Sequence, residues 1–121
     1  MKNPIIGITL DFENNGGYSK FPWYAIRENY LTCVNNFGAI PFPLFHQNSL
    51  NNYLLRALDG LIITGGNFDI NPSLYAKNTD GSRNIKDKRT NFEIEIFNKF
   101  FETSKPILGI CGGEQLINVA S

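Results

Sequence analysis

The sequence predicts an α/β protein whose open parallel sheet is covered by helices on both faces. Short apolar runs of strand length alternate along the chain with segments whose apolar residues recur every three or four positions. The apolar runs are continuous, which is typical of strands that are buried on both sides. Polar, glycine-rich segments follow three of these runs. Strands separated by helices in this way form a parallel sheet through crossover connections.

The elements follow one another in the order β-α-β-α-β-loop-α-β-α. The predicted strands are residues 4–10, 39–45, 61–64 and 106–110. The predicted helices are residues 23–37, 48–58 with the cap included, and 89–101, followed by a fourth helix after residue 111. Polar loops are expected at 11–21 and 67–89, and a loop as long as the second is usually functional or locally disordered.

Three prolines refine these predictions. Pro22 suits the first turn of the first helix, because its missing N–H is not needed there. Pro41 and Pro43 remove hydrogen-bond donors from the second strand. That strand is therefore expected at an edge of the sheet, where a missing donor costs least.

Composition and charge exclude several function classes. Eleven basic and eleven acidic residues give a net charge of zero, which argues against partners bound through bulk charge, such as nucleic acid or an acidic membrane. No apolar run reaches the length of a membrane span, and the N-terminus lacks a signal-peptide pattern. We therefore expect a cytoplasmic chain that forms one domain over residues 1–121, with Cys33 and Cys111 reduced.

The sequence also lacks the common cofactor motifs. It has no P-loop ending in Gly-Lys-Ser/Thr and no strand followed by Gly-x-Gly-x-x-Gly. Two cysteines and a single histidine without ligand spacing offer no zinc site. We therefore expect neither a metal nor a cofactor.

The segment from Pro106 to Leu116 has the pattern of a nucleophile elbow. An apolar strand stops at Cys111, Gly112 and Gly113 follow, and the next residues begin a helix. In that geometry the side chain at the turn projects over the carboxyl edge of the sheet, and the helix N-terminus favours its thiolate. A small buried cysteine is the alternative, but such a residue more often lies inside a strand. We predict that Cys111 is a nucleophile.

Two glycines at the end of the third strand complete the candidate site. The carboxyl ends of parallel strands lie along one edge, so Gly65 and Gly66 are expected near Cys111. Their backbone N–H groups have no side-chain cover and could form an oxyanion hole with the N–H of Gly112. Such a hole serves acyl transfer to a thiolate. A plain turn is the alternative interpretation of the glycine pair.

Other candidate side chains are less decisive. His46, the only histidine, is either a solvent-exposed or loop residue after the second strand or a general base for Cys111. Glu93 is either a solvated glutamate or a residue that points inward from the polar edge of its helix. Cys33 lies within the first predicted helix and is interpreted as structural.

Three segments of the chain resemble the class I glutamine amidotransferase superfamily. They are Leu58 to Gly66, Arg89 with Phe92 and Glu93, and Pro106 to Gln115. Residues 67–75 and the helix containing Tyr30 are most similar to its γ-glutamyl-γ-aminobutyrate hydrolase branch, peptidase family C26. The resemblance covers nearly the whole chain and implies a flavodoxin-like fold.

The resemblance also implies roles for particular residues. Cys111 matches the nucleophile that attacks a γ-glutamyl amide, and Gly66 and Gly112 match the oxyanion-hole positions. The implied substrate is glutamine or another small γ-glutamyl amine. The residues expected to support these groups are Gly65, Glu93 and Gln115.

The resemblance leaves two differences. The hydrolase branch has arginine directly after the nucleophile, where this sequence has Gly112. The family's catalytic histidine and its acidic partner lie downstream of the cysteine and have no counterpart up to Ser121. We therefore expect an amino-terminal part of the domain with impaired turnover, partnered by a separate carboxyl-terminal half or a second copy. The alternatives are a non-catalytic binding module, a remnant of a degraded gene, and a cysteine-dependent stress protein supported by Glu13.

Overall fold

The computed structural model describes residues 3–46, 52–65 and 87–110, and strands alternate with helices there. The strands are β1 (Ile5–Thr9), β2 (Asp11–Glu13), β3 (Trp23–Ala25), β4 (Ile40–Leu44), β5 (Gly60–Ile63) and β6 (Ile107–Gly109). The helices are α1 (Glu28–Asn36), α2 (Asn52–Ala57) and α3 (Asp87–Phe101). The predicted cap at residues 48–49, most of the loop at 67–89 and the helix after residue 111 lie outside the described residues.

Four strands form a parallel sheet in the order β4-β1-β5-β6. β1 lies inside the sheet, with Gly7 opposite Phe42 of β4 on one side and Leu61 of β5 on the other. Continuous apolar sequence suits that position, because a central parallel strand is covered on both faces. β4 lies at the edge, as Pro41 and Pro43 predict. The parallel sheet flanked by helices confirms the predicted α/β class.

The main core lies between the sheet and the helices α2 and α3. Leu61 and Ile63 alternate along β5 onto one face of the sheet. Phe92, Ile96 and Phe100 recur at four-residue spacing along α3 and pack into the same cluster. Each of these side chains is at most 3% exposed. The apolar stripe of α3 is therefore buried in the core, as its spacing predicts.

The segment between β1 and α1 differs from the prediction. Residues 11–13 and 23–25 form an antiparallel hairpin, where the sequence predicts a loop and the start of a helix. Phe12 lies opposite Tyr24, and their ring centroids are 5.1 Å apart. Such aromatic pairs favour strand pairing. Helix α1 consequently begins only at Glu28, and the helical role predicted for Pro22 is wrong.

Helix α1 packs against β4 and buries less of its predicted apolar stripe. Val34 is 8% exposed, whereas Phe37 is 86% exposed. Cys33 is also exposed, which contradicts a structural packing role for its thiol. None of the helices in the described ranges is long and apolar enough to cross a membrane.

Candidate functional site

The carboxyl ends of β1, β5 and β6 lie side by side at one edge of the sheet. β5 pairs in parallel with both neighbours, and Ile63 lies opposite Gly109 of β6. The N–H of Ile110 extends this ladder by donating to the carbonyl oxygen of Ile63 at 3.0 Å. The chain therefore leaves both strands at one edge, as predicted for a site at strand ends. Four predicted site residues lie outside the described part of the chain: Gly66, Cys111, Gly112 and Gln115.

A buried charged cluster joins these strand ends to α3. We call it the Arg89 cluster, and its members are Arg89, Asp11, Glu93, Thr64 and Thr9. Arg89 has no exposed surface, and its Nη1 and Nε lie 3.3 Å from Asp11 Oδ1 and 3.2 Å from Glu93 Oε1. Its Nη2 donates to the carbonyl oxygen and to Oγ1 of Thr64, both at 2.7 Å. One planar guanidinium thus holds two carboxyl groups and the end of β5.

The two threonines of the Arg89 cluster connect β1 with β5. The N–H of Thr64 donates to Thr9 Oγ1 at 3.1 Å, and Thr64 Oγ1 donates to the carbonyl oxygen of Thr9 at 2.9 Å. Both residues are at most 2% exposed. Buried polar groups without partners are costly, so these bonds stabilise the two strand ends at a fixed separation.

Gly65 is held from two sides. Its N–H donates to the hydroxyl oxygen of Tyr30 at 3.1 Å, and its carbonyl oxygen accepts from Arg89 Nη2 at 3.4 Å. The two partners belong to different helices, α1 and α3. The expectation of an uncovered N–H is therefore wrong for Gly65, because that N–H already has an acceptor. The supporting role of Gly65 at the site stays a prediction.

Glu93 is buried, so its interpretation as a solvated glutamate is wrong. Its side chain is 1% exposed and faces Arg89 one helical turn earlier. Burial raises the pKa of the Glu93 carboxyl above its usual value, while the charge of Arg89 and the hydroxyl of Thr9 oppose that rise. Desolvation outweighs the nearby cation, so this carboxyl holds its proton more tightly than a glutamate in water.

A second buried cluster at the same edge is aromatic. We call it the His46 cluster, and its members are His46, Phe12, Tyr24, Phe92 and Lys88. The His46 ring is stacked on Phe92 with centroids 5.2 Å apart and meets Tyr24 edge-on at 5.0 Å. The ammonium of Lys88 lies 4.0 Å from the ring centroid of Phe12. His46 is only 6% exposed, so the interpretation of this loop residue as solvent-exposed is wrong.

The His46 cluster keeps the histidine neutral. Its Nε2 lies 2.9 Å from the carbonyl oxygen of Leu10, and because a carbonyl only accepts, Nε2 carries the proton. Nδ1 is buried and has no hydrogen-bond partner in the described part of the chain. Burial lowers the pKa of His46 to about 4; the bond to Leu10 opposes this, and the charges of Arg89 and Lys88 add to it. Such a group is a weak base for a thiol.

A cavity of about 190 Å³ opens at this edge beside Gly65. The polar residues that line it are Asp11, Arg27, Tyr30 and Thr64. The apolar residues that line it are Ala25, the last residue of β3, and Ile26. Concave sites with a few polar groups on apolar walls commonly bind small molecules. Within the described residues, no three histidine, cysteine, aspartate or glutamate side chains are placed to share a metal ion.

Comparison with known proteins identifies the family of this chain. A family model for peptidase C26 matches residues 4–121, which is nearly the whole chain. The chain belongs to the peptidase C26 family. This match confirms the resemblance to glutamine amidotransferase-like proteins that the three sequence segments indicate.

Individual relatives of this peptidase C26 chain agree with the family match. A glutamine amidotransferase-like protein of Rickettsia prowazekii is 41% identical over 122 aligned positions, covering 98% of this chain and 43% of that protein. The γ-glutamyl-γ-aminobutyrate hydrolase of Escherichia coli K12 is 31% identical, covering 100% of this chain and 47% of the hydrolase. A glutamine amidotransferase-like protein of Lactococcus lactis is 32% identical, covering 95% and 50%. The C26 chain therefore spans about half the length of these relatives.

Sequence patterns single out only some of the residues that organise this edge of the C26 chain. Thr64 reads as the end of a strand, and Tyr30 reads as part of an apolar stripe. Arg89 and Glu93 carry a usable signal, because opposite charges four residues apart on a helix face each other. Asp11 carries another, since it follows directly after a buried parallel strand.

Proposed function

We propose that this chain supplies the nucleophile side of a cysteine-dependent site that hydrolyses γ-glutamyl amides. The observation that carries the proposal is the parallel pairing of β5 with β6, which brings Gly65 and Ile110 to the same sheet edge. The next residues in the sequence are Gly66 and Cys111. Relatives that include a γ-glutamyl-γ-aminobutyrate hydrolase support the same chemistry. Glutamine or a γ-glutamyl amine is the proposed substrate.

The proposed reaction has two steps. The Cys111 thiolate attacks the γ-carbonyl carbon, the C–N bond breaks, and the amine leaves with a proton, which leaves a γ-glutamyl thioester. Water then attacks the thioester, releases glutamate and regenerates the thiol. The N–H groups of Gly66 and Gly112 stabilise the oxyanion in both steps, an effect of roughly 10²–10³ in rate for one donor.

The leaving amine needs a proton, and the described residues do not provide a suitable donor and base. His46 Nε2 is bonded to Leu10, and a pKa of about 4 is low for removing a proton from a thiol. Glu93 faces Arg89 within the buried cluster. We therefore propose that the general base comes from residues that correspond to the other half of the relatives.

The cavity beside Gly65 is the proposed location of the glutamyl end of the substrate. Asp11 and Arg27 line it with opposite charges. These charges complement an α-ammonium and an α-carboxylate, which a γ-glutamyl amide carries at the end away from its scissile bond. The position next to Gly65 leaves the γ-carbonyl close to the end of β5.

The test is thioester formation on the 121-residue chain with glutamine and with γ-glutamyl-aminobutyrate. Mass spectrometry after an acid quench detects the adduct, both for the chain alone and after addition of the carboxyl-terminal half of the Rickettsia relative. In the presence of the added half, we expect the adduct in the parent chain and in Cys33→Ala, whose cysteine is exposed on α1, but not in Cys111→Ala. An adduct or turnover that survives in Cys111→Ala would overturn the proposal.

A non-catalytic binding module is the second candidate, and the charged cavity is the observation that favours it. Calorimetry with glutamine distinguishes the two functions. Binding that weakens in Arg27→Gln, in a chain that never forms a thioester in either condition, would favour the binding module. Binding together with a thioester on Cys111 favours the hydrolytic site.

A further inference from the structure

We infer that Tyr30 and Arg89 are positioning residues that fix the peptide plane at the end of β5 for oxyanion binding. The inference rests on the proposed function, and it assigns two side chains to that function. Neither side chain needs to touch the substrate for this role. Each acts on the reaction through the backbone of Gly65.

The first contact comes from α1. The hydroxyl oxygen of Tyr30 accepts the N–H of Gly65 at 3.1 Å, across 35 positions of sequence. Tyr30 is partly buried, and it lines the cavity beside Gly65. The phenol can accept this bond and still direct its own proton elsewhere. The N–H side of Gly65 is therefore anchored to a helix that flanks the sheet.

The second contact comes from α3. Arg89 Nη2 lies 2.7 Å from the carbonyl oxygen of Thr64 and 3.4 Å from that of Gly65. The guanidinium is itself fixed by Asp11 and Glu93 and has no exposed surface. A donor that is already ordered in the fold requires little reorganisation during a reaction. Consecutive carbonyl groups at the end of β5 are therefore oriented by one rigid group.

The contact of Arg89 with the carbonyl oxygen of Gly65 has a consequence for the peptide that follows this residue. A trans peptide carries the C=O of one residue and the N–H of the next on opposite sides of one plane. Orienting the carbonyl of Gly65 therefore also orients the following N–H, which is the proposed oxyanion donor. Tyr30 supports this from the preceding peptide plane, which it and Arg89 hold through the N–H of Gly65 and the carbonyl of Thr64. Small misplacements of such a donor lower the rate strongly, because its effect depends on aiming at the developing charge.

Tyr30→Phe isolates the first contact, because it removes one oxygen and keeps the ring. Hydrogen exchange of the Gly65 amide, followed by NMR, measures the contact without any need for turnover. We expect exchange to accelerate about fivefold, as for the loss of one neutral hydrogen bond. Tyr24→Phe is the matched control, since its hydroxyl accepts the N–H of His46 at 3.2 Å and should leave Gly65 exchange unchanged. Unchanged exchange at Gly65 in Tyr30→Phe would overturn the inference.

The second readout is the rate of thioester formation on Cys111, measured over a range of substrate concentrations. Tyr30→Phe and Arg89→Lys are expected to lower the maximal acylation rate about tenfold or more while half-saturation stays near that of the parent. A purely structural role would instead reduce the folded fraction and leave the rate per folded molecule unchanged. If the parent acylates and Tyr30→Phe acylates equally fast, the positioning role is wrong and the proposed function stands. If the folded parent forms no thioester even after addition of the carboxyl-terminal half of the Rickettsia relative, the proposed function is wrong and the positioning role fails with it.

Discussion

The Arg89 cluster and the His46 cluster lie next to each other at the end of β1, and they bury polar groups in opposite ways. In the Arg89 cluster a guanidinium, which is a permanent cation in proteins, is surrounded by two carboxyl groups and two backbone carbonyls. In the His46 cluster an ionisable ring remains neutral among aromatic rings, with one carbonyl as its acceptor. Both are similarly protected from water.

The difference shows how two buried groups are accommodated: a permanent guanidinium cation needs anionic and carbonyl acceptors around it, whereas burial moves an imidazole to its neutral form, which needs only one acceptor. Arg89 takes part in both outcomes, because its charge opposes the rise in the pKa of Glu93 and contributes to the lowered pKa of His46. A cation that attracts one neighbour's charged form repels the other's. The two clusters are therefore electrostatically connected, and a change of charge in one should shift the pKa of a group in the other.

Removing the cation is expected to have the largest effect. Arg89→Met leaves Asp11 and Glu93 without their shared cation, and losing one partner of a buried ion pair costs about 3–5 kcal/mol of unfolding free energy. Urea unfolding followed by Trp23 fluorescence measures the loss. The control is Arg56→Met, because Arg56 is an exposed cation 4.6 Å from the ring centroid of Tyr53 and should cost about 1 kcal/mol or less. Similar losses in both variants would contradict a special role for the cluster.

Acid is expected to destabilise the fold through His46. Its folded pKa of about 4 lies below the ordinary 6.5, so the unfolded chain binds more protons between these values. Stability therefore falls as the pH drops from about 6.5 towards 4, by up to about 1.4 kcal/mol per pH unit. His46→Phe keeps a ring but cannot titrate, so unfolding free energies across this range should fall less steeply. The same slope in both proteins would show that His46 is not the group responsible.

Glu93→Gln is expected to cost far less than Arg89→Met, about 1 kcal/mol or less at neutral pH, although both remove the ion pair between Arg89 and Glu93. Burial already disfavours the carboxylate, and Arg89 keeps Asp11 and two carbonyl groups as partners. A raised folded pKa gives stability below the ordinary 4.5 that is lost as the pH rises through the folded pKa. The variant should therefore gain on the parent as the pH rises from 4.5 through the folded pKa of Glu93. A loss as large as that of Arg89→Met would mean that the Glu93 carboxylate is essential to the cluster.

Lys88→Met is expected to have the smallest effect. Lys88 is exposed, and its charge lowers the pKa of His46 less than the charge of Arg89 does. Removing it should raise the pKa of His46 slightly, which an NMR titration of the imidazole detects. Lys99→Met is the control, because Lys99 pairs with Glu95 at 3.2 Å and is not among the charges that shift His46. A pKa of His46 that stays constant in Lys88→Met, or moves equally in both variants, would contradict this assignment.

Much of the fold could be predicted because it depends on local patterns. Continuous apolar runs predict the four strands of the parallel sheet, and the spacing of Phe92, Ile96 and Phe100 predicts the buried face of α3. The hairpin formed by β2 and β3 could not be predicted from local patterns. Trp23 lies at helical spacing from later apolar residues, but its strand pairs with residues ten or more positions earlier, and such pairing leaves no local periodicity.

The sequence predicts the location of the candidate site but not the side-chain contacts that form it. Glycines after strands indicate the edge, since parallel strands end together. The burial of Glu93 and Arg89 depends on which elements cover α3, and the contact from Tyr30 to Gly65 joins helix α1 to a strand end. Such tertiary contacts are set by packing and not by residue type. The sequence therefore predicts where chemistry is placed better than it predicts which side chains hold it there.

The two prolines of β4 determine on which side this sheet can grow. The N–H of Ile40 donates to the carbonyl oxygen of Pro4 at 2.7 Å, and alternation then directs the N–H groups of Phe42 and Leu44 towards β1 as well. The donors at 41 and 43 would face outward, and both positions are proline. An approaching strand therefore finds acceptors without donors and cannot form a regular ladder. Further strands, whether from this chain or from another, must add beyond β6.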